Sequence, residues 1–184
     1  MTRTGLSSIV LGIALLASSA AGFAADSKKA AQLDRDGRAA LNKLIASEAG
    51  AKAVSKKAVA VLVFPSITKA GLMIGGQYGD GVLIKRGKTA AYYNTSGASY
   101  GMQAGAQTYG YAMFFMNEAA VRKLDAAEGF EVGAGPSVVV ADEGFGKTTS
   151  SITYDKDIYA FIFSQQGLMA GLGLQGNKIT RIKP

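Results

Sequence analysis

A run of small and apolar residues broken by glycines, residues 64–83, constrains the fold of this chain more than any other segment. Its glycines are Gly71, Gly75, Gly76, Gly79 and Gly81. A glycine inside a strand marks a bulge or a sharp bend, because it has no side chain to block a close approach of backbone. The run therefore predicts a strongly curved sheet, and it contains no pair of groups suited to acid–base chemistry.

Alternation of period two predicts strands over much of the chain. Residues 59–64 indicate a strand buried on both faces, and residues 81–86 and 88–94 indicate two strands joined by a tight turn at Arg86-Gly87-Lys88. Residues 98–106 alternate between two faces. Further strands are predicted near 109–116, 130–132, 136–141, 148–154, 158–163 and 168–174, with a tail strand at 178–182.

Helical patterning is confined to three short segments. Residues 28–46 carry leucines at helical spacing, a second helix is predicted near 47–55 with Ser47 as its N-cap, and Asn117 is suited to cap a third helix over 118–126. The fold class predicted is α+β, with a glycine-rich antiparallel β-barrel or sandwich-like core of about ten short strands. The N-terminal helices and one inserted helix complete a single domain.

The N-terminus has the order of a secretory signal peptide. Arg3 is followed by an apolar run at 9–17 and then by small residues up to Ala24. The sequence predicts a signal peptide at 1–24 and a mature domain at 25–184, in the periplasm or outside the cell. The chain has no cysteine, so disulfides and thiolate metal sites are excluded.

The composition disfavours catalysis and cofactor binding. The chain has no histidine, which is the commonest general base and metal ligand. Residues 141–148 nearly match a phosphate-binding loop, but Ala141 stands where that loop needs glycine and a strand pattern follows, which favours a hairpin turn. Only scattered carboxylates such as Asp80, Glu131 and Asp142 could serve an enzyme. We expect no enzyme activity, cofactor or metal.

Positive charge is concentrated in the first half of the mature chain. Residues 25–88 hold twelve Lys and Arg against five acids, whereas residues 89–184 hold seven against eight. Such a distribution suits an anionic surface. The candidate lipid-binding residues are Lys28, Lys29, Arg35, Arg38, Lys43, Lys69, Lys85, Arg86 and Lys88. The alternative reading of these cations is a solvated face that confers solubility.

Two segments resemble the signatures of a known family. Residues 64–83, Phe-Pro-Ser-Ile-Thr-Lys-Ala-Gly-Leu-Met-Ile-Gly-Gly-Gln-Tyr-Gly-Asp-Gly-Val-Leu, resemble the opening signature of SYLF domains, and residues 164–176 resemble a second signature near the C-terminus. The resemblance covers about residues 35–182. It implies a lipid-binding module of the bacterial kind, related to eukaryotic phosphoinositide- and actin-associated modules that contact membranes through a basic amphipathic helix.

The function expected is a non-enzymatic envelope protein that binds an anionic phospholipid membrane surface peripherally, with no nucleic acid partner. Four cations contributing about 1 kcal/mol each would suffice without a lipid anchor. The alternative is an envelope scaffold that binds another protein or a cell-wall polymer through tyrosines on its strands. Those tyrosines are Tyr78, Tyr92, Tyr93, Tyr100 and Tyr109.

Overall fold

The structure, a computed structural model, describes the backbone of residues 10–124, 130–131, 138–141 and 156–183, and side chains within these ranges from residue 26 onward except at 99–103, 130–131, 138–141 and 168–177. The elements are α1 (Val10–Ser47), α2 (Ala49–Ser55), β1 (Ala60–Lys85), β2 (Lys88–Phe115), α3 (Glu118–Leu124), β3 (Phe130–Glu131), β4 (Val138–Ala141) and β5 (Ile158–Ile182). The strand predicted at 148–154 and the turn predicted at 142–148 lie outside the described residues.

Three long strands form most of a five-stranded sheet. The order is β1-β2-β5-β3, and β4 pairs with β5. Antiparallel pairing runs from Ala60↔Phe115 to Lys85↔Lys88 between β1 and β2, while β5 lines the other side of β2. The mixed helix and antiparallel sheet predicted from the sequence is confirmed at this level. In the described residues the path is open, so the predicted closed barrel is wrong.

The prediction of about ten short strands is also wrong, because bends had been interpreted as strand ends. β1 alone is 26 residues long and passes through all five glycines of the 64–83 run. The β1–β2 register shifts between Phe64 and Ile67, between Leu72 and Ile74, and between Leu83 and Ile84. Such irregularities bend a strand without ending its ladder. Glycine here allows curvature within one continuous strand.

The bent strands bring their two halves onto one core. Leu62 and Leu83 come from opposite halves of β1, and Tyr93 and Met113 from opposite halves of β2, yet all four belong to the same buried cluster. Helix α3 adds Leu124 to it. Burying these side chains away from water provides the main stabilisation of a domain without disulfides.

Helix α1 is docked on the outer face of this sheet. Leu44 of α1 and Val54 of α2 join a second buried cluster with Val63 and Phe114 of the sheet. Glycine is unfavourable inside a helix, but α1 requires it at residue 37. A Cβ at this position would lie 2.3 Å from Val82 Cγ1. The helix approaches the strand as closely as it does because no side chain intervenes.

The predicted helix ends are partly confirmed. Asn117 Oδ1 accepts a hydrogen bond from the Ala120 backbone N–H at 2.8 Å, so it caps α3 as predicted. Ser47 is not the N-cap of α2: its hydroxyl donates to the Leu44 carbonyl at the end of α1, and Glu48 occupies the cap position without a side-chain hydrogen bond. The tight turn at Arg86-Gly87 is confirmed, with a positive φ at both residues.

Candidate functional site

Three cations of α1 form a line that faces away from the sheet. Lys28, Arg35 and Lys43 are spaced seven and eight residues apart, close to two helical turns each, and all are exposed. The line spans about 22 Å at 1.5 Å per residue. The buried side of the helix, with Leu33 and Leu44, lies on the opposite side. Docking therefore fixes which cations meet solvent.

The β1–β2 turn adds two more cations beside this helix. Arg38 donates to the Gly87 carbonyl and to Thr89 Oγ1, both at 3.0 Å, which ties α1 to the turn. Arg86 and Lys88 flank Gly87 and are exposed. We call the set Lys28, Arg35, Lys43, Arg86 and Lys88 the basic face. Arg38 is not counted in this set, because its guanidinium is bound to the β1–β2 turn.

Acidic groups between helix and sheet are engaged by neighbouring donors. Asp34 accepts from Arg38 at 2.9 Å and from the Thr89 hydroxyl, and these hydrogen bonds, that of Arg38 first, hold the pKa of Asp34 below its usual range. Lys29 Nζ lies 3.1 Å from Asp80 Oδ2, and its hydrogen bond to Asp80 raises the pKa of Lys29. Lys29 is therefore held against the protein body, unlike Lys28.

Two other predicted site residues are not counted in the basic face. Lys85 lies beside the turn, as the register partner of Lys88, but its Nζ is engaged 2.7 Å from Glu118 Oε2. This contact ties β1 to α3 and, chiefly through that hydrogen bond, lowers the pKa of Glu118. Lys69 lies in the first half of β1 opposite Gln107, distant along the strand from the turn at Arg86. Of the nine predicted cations, eight lie on α1 or at the β1–β2 turn, and Lys69 lies elsewhere.

An open groove of about 580 Å³ borders the start of the described part of α1. Its walls include Asp26, Thr89, Tyr92, Arg181 and Lys183. Charges of both signs line it, so it does not extend the basic face. Within the described part of the chain, no three His, Cys, Asp or Glu side chains lie close enough together to hold a metal ion.

The tyrosines predicted as scaffold anchors do not share one surface. Tyr78 is 58% exposed, whereas Tyr93 and Tyr109 are buried in the core. Tyr92 is half-buried, and the side chain of Tyr100 lies outside the described residues. Of the carboxylates considered for an enzyme, Asp80 is bound to Lys29 and Asn94, and Asp142 lies outside the described residues.

One exposed apolar feature was missed by sequence reasoning. Leu72, Met73 and Ile74 are 76%, 63% and 68% exposed in the middle of β1. The signal was present as three consecutive large apolar residues between Gly71 and Gly75. The sequence indicates only a glycine-broken, strand-like run here, because exposure cannot be read from apolarity alone. None of the helices among the described residues has the length and apolarity needed to cross a bilayer.

A helix docked on a sheet of long bent strands, with a basic outer face, is the architecture that the described residues define. Residues 96–183 match the family model described as "Ysc84: Las17-binding protein actin regulator". This match covers 88 of the 184 residues, in the C-terminal part of the chain, and it confirms there the resemblance to the SYLF family predicted from the sequence. The second signature, at 164–176, lies within the match, and the first, at 64–83, lies before it. Comparison with curated proteins gave no match.

Proposed function

We propose that this protein binds membranes peripherally, with its basic face against anionic lipid head groups. The observation that carries the proposal is the docking of α1, which buries Leu33 and Leu44 and leaves Lys28, Arg35 and Lys43 in one exposed line. A line of about 22 Å lets these three cations lie along one membrane surface together. The family match supports a lipid-binding role, and the signal peptide predicted at 1–24 would take the chain to the cell envelope.

The strength expected from this face is modest. Each Lys or Arg near an anionic surface contributes about 1 kcal/mol, so three on the helix correspond to roughly a hundredfold in partitioning. Arg86 and Lys88 add to this only where the turn also reaches the surface. Screening shortens the range of the attraction to about 8 Å at physiological ionic strength. Binding of this kind is peripheral and sensitive to salt.

The family description names a Las17-binding protein and actin regulator, which is a role for an intracellular protein. An exported chain would not meet actin in its own cell. We therefore place the anionic lipid surface before an actin-regulating partner as the ligand of the basic face. No acid–base group or cofactor is needed for this function.

Co-sedimentation with vesicles tests the proposal. The mature protein is mixed with vesicles of pure phosphatidylcholine or with a 30% share of phosphatidylglycerol, at low and high salt. We expect binding only to the anionic vesicles at low salt, reduced roughly a hundredfold by Lys28→Gln, Arg35→Gln and Lys43→Gln together. The absence of binding to anionic vesicles at low salt would refute the proposal and favour an envelope scaffold.

A matched control separates a local surface from net charge. Lys52→Gln, Lys56→Gln and Lys178→Gln remove the same three charges from exposed positions outside the basic face. Binding close to that of the unsubstituted protein is expected for this control. Equal losses in both triple variants would show that net charge alone attracts the protein, and the assignment of the basic face would fall.

A further inference from the structure

The middle of the three long strands forms a region without charge. We call this region the tongue: residues 70–77 of β1, 97–106 of β2 and 168–177 of β5, paired in register from Ala70↔Ala106↔Leu168 to Gln77↔Gly97↔Asn177. The sequence has no Asp, Glu, Lys or Arg from residue 70 to 79, from 89 to 117 or from 158 to 177. In a protein of net charge +7, these are long stretches without a charged residue.

Leu72, Met73 and Ile74 are three consecutive, largely exposed apolar residues of the tongue, which we call the knuckle. Met73 has a φ of 64°, and a Cβ at Gly71 would lie 2.3 Å from the Gly75 Cα. The backbone at the base of the knuckle is therefore pinched together, which only glycine allows. The β1–β2 register shifts between Leu72 and Ile74, as expected where a strand bulges out.

Exposing the apolar side chains of the knuckle to water is unfavourable in free energy unless another surface covers them. Side chains of this size, 63–76% exposed, leave most of their apolar surface in water. Contiguous exposed apolar residues commonly mark contacts with a protein or a membrane. At this register shift Met73 of β1 stands opposite three residues of β2, 101–103, and the three side chains of the knuckle remain exposed.

We infer that the knuckle inserts into the interface of a lipid bilayer, as a second membrane contact distinct from the basic face. The inference deepens the proposed lipid-binding function and rests on it. A bilayer is favoured over a protein partner because the sequence of the tongue has no charge with which to select an oriented partner. Fluid acyl chains accept apolar side chains without a matching surface, and they exclude charged groups.

The edges of the sheet limit how deep the tongue can enter. β1 is a terminal strand in the sheet order, and among the described residues its outer edge in the tongue has no pairing strand. Unpaired backbone groups are not tolerated in the hydrocarbon core. Insertion is therefore confined to the head group and upper acyl region, about 5–10 Å deep. This depth accommodates the knuckle and leaves the body of the protein in water.

The absence of cysteine allows a direct test of depth. Met73→Cys, labelled with an environment-sensitive NBD fluorophore, carries the only thiol in the protein. We expect a blue shift on binding to phosphatidylglycerol-containing vesicles, and quenching by lipids brominated on their acyl chains. Lys56→Cys is the control, since it is exposed near the start of β1 and distant along the strand from the tongue. Its label should stay in a polar environment.

Substitutions of exposed apolar residues give a second readout. Leu72→Ser and Ile74→Ser are each expected to lower the vesicle partition coefficient about tenfold at low salt, where the protein binds. Ile162→Ser is the matched control, since Ile162 is an exposed apolar residue of β5 outside the tongue, and little change is expected. Circular dichroism and thermal unfolding verify that the variants fold.

The possible outcomes separate the two proposals. A blue shift at residue 73 together with the tenfold losses supports insertion. Binding that depends on the basic face, with residue 73 still polar and the serine variants unaffected, overturns insertion and leaves the proposed function standing. Absence of vesicle binding by the unsubstituted protein removes both. Self-association that disappears with Ile74→Ser, measured by sedimentation velocity, would assign the knuckle to a second copy of the chain and overturn insertion.

Discussion

The body of the sheet and its tongue are built from the same three strands, yet the two regions are stabilised very differently. In the body, β1 is covered on one face by the core that holds Leu62 and on the other by α1 and α2, which cover Val63. In the tongue, residues 72–74 are open to solvent, although the backbone pairing between β1 and β2 continues on both sides of Met73. The comparison shows that continuous pairing is compatible with abrupt loss of burial along one strand.

The charges follow the same division. Ion pairs such as Lys29–Asp80 and Lys85–Glu118 link the helices to the second half of β1, and the first charge beyond the tongue on that side is Asp80. The tongue itself has none. The body can therefore present a basic face held by defined contacts, whereas the tongue presents only apolar and small polar groups.

Truncating one large side chain in each region should give the largest contrast in the free energy of unfolding. Phe114 in the body is fully buried, and its ring centroid lies 5.5 Å from that of Phe161 in an edge-to-face arrangement. We expect Phe114→Ala to lower the free energy of unfolding by about 3–5 kcal/mol. Met73→Ala in the knuckle should change it by no more than about 0.5 kcal/mol. Urea unfolding measures both. Similar costs would mean that the knuckle is covered by the protein itself.

Asp80, at the boundary between tongue and body, should have an intermediate effect. Burial acts to raise the pKa of its carboxyl, but hydrogen bonds from Asn94, Lys29 and Tyr78 outweigh burial and lower it. Because the folded-state pKa lies below the unfolded value of 3.8, the stabilisation is present above that value and is lost as the pH falls through it to the folded pKa. Asp80→Asn should cost about 1–2 kcal/mol at pH 7.

The measurement is the free energy of unfolding from pH 2 to 8. The Asn variant should lose less stability than the unsubstituted protein as the pH falls below about 4. Asp36→Asn serves as the control, since Asp36 is an exposed carboxylate on α1 outside the sheet. A steeper acid loss in Asp80→Asn would show that burial, rather than hydrogen bonding, controls this carboxyl.

Removing the hydroxyl of either of two tyrosines near the base of the tongue should give the smallest changes in the free energy of unfolding, and the two changes should differ in sign. Tyr109 donates from its hydroxyl to Gln77 Oε1 at 3.0 Å, whereas the buried Tyr111 hydroxyl has no hydrogen-bond partner among the described residues. Burial raises the pKa of Tyr111, which therefore stays protonated at neutral pH. We expect Tyr109→Phe to destabilise by about 1 kcal/mol and Tyr111→Phe to be neutral or stabilising by a similar amount.

Thermal and urea unfolding of these two phenylalanine variants test this prediction, and each variant serves as the control for the other. A clear loss of stability in Tyr111→Phe would mean that its hydroxyl has a partner, such as a buried water molecule. That result would make the junction of tongue and body a hydrated site rather than a dry one.

Local features of this protein could be predicted from its sequence, and long-range ones could not. The helical pattern of residues 28–46, the turn at Arg86-Gly87 and the Asn117 cap depend on neighbouring residues, and the structure bears them out, although α1 begins at Val10 rather than near residue 28. The strand number failed because a glycine marks a bend equally well inside a strand and at its end. Register and curvature, which decide between these, depend on partners such as Phe115, 55 residues from Ala60.

The candidate site shows the same limit. The sequence identified the cations of α1 but not which of them the docked helix turns outward, since this depends on the contact between Gly37 and Val82. Lys85 pairs with Glu118, 33 residues later, and no local pattern indicates that pairing. The knuckle was missed because exposure of an apolar run is a property of the folded chain, not of the run.

The length of the strands also sets what can be separated from this domain as an independent unit. The family match begins at Ser96, which lies in the middle of β2, and it leaves out β1 entirely. A fragment cut at that point would lose the strand that pairs with β2 along its whole length, together with Leu62 and Phe64 of the core. The segment that matches the family model is therefore shorter than the segment that must fold together. Any exchange of this module between proteins, by recombination or by design, must include β1 and the part of α1 that follows the predicted signal peptide.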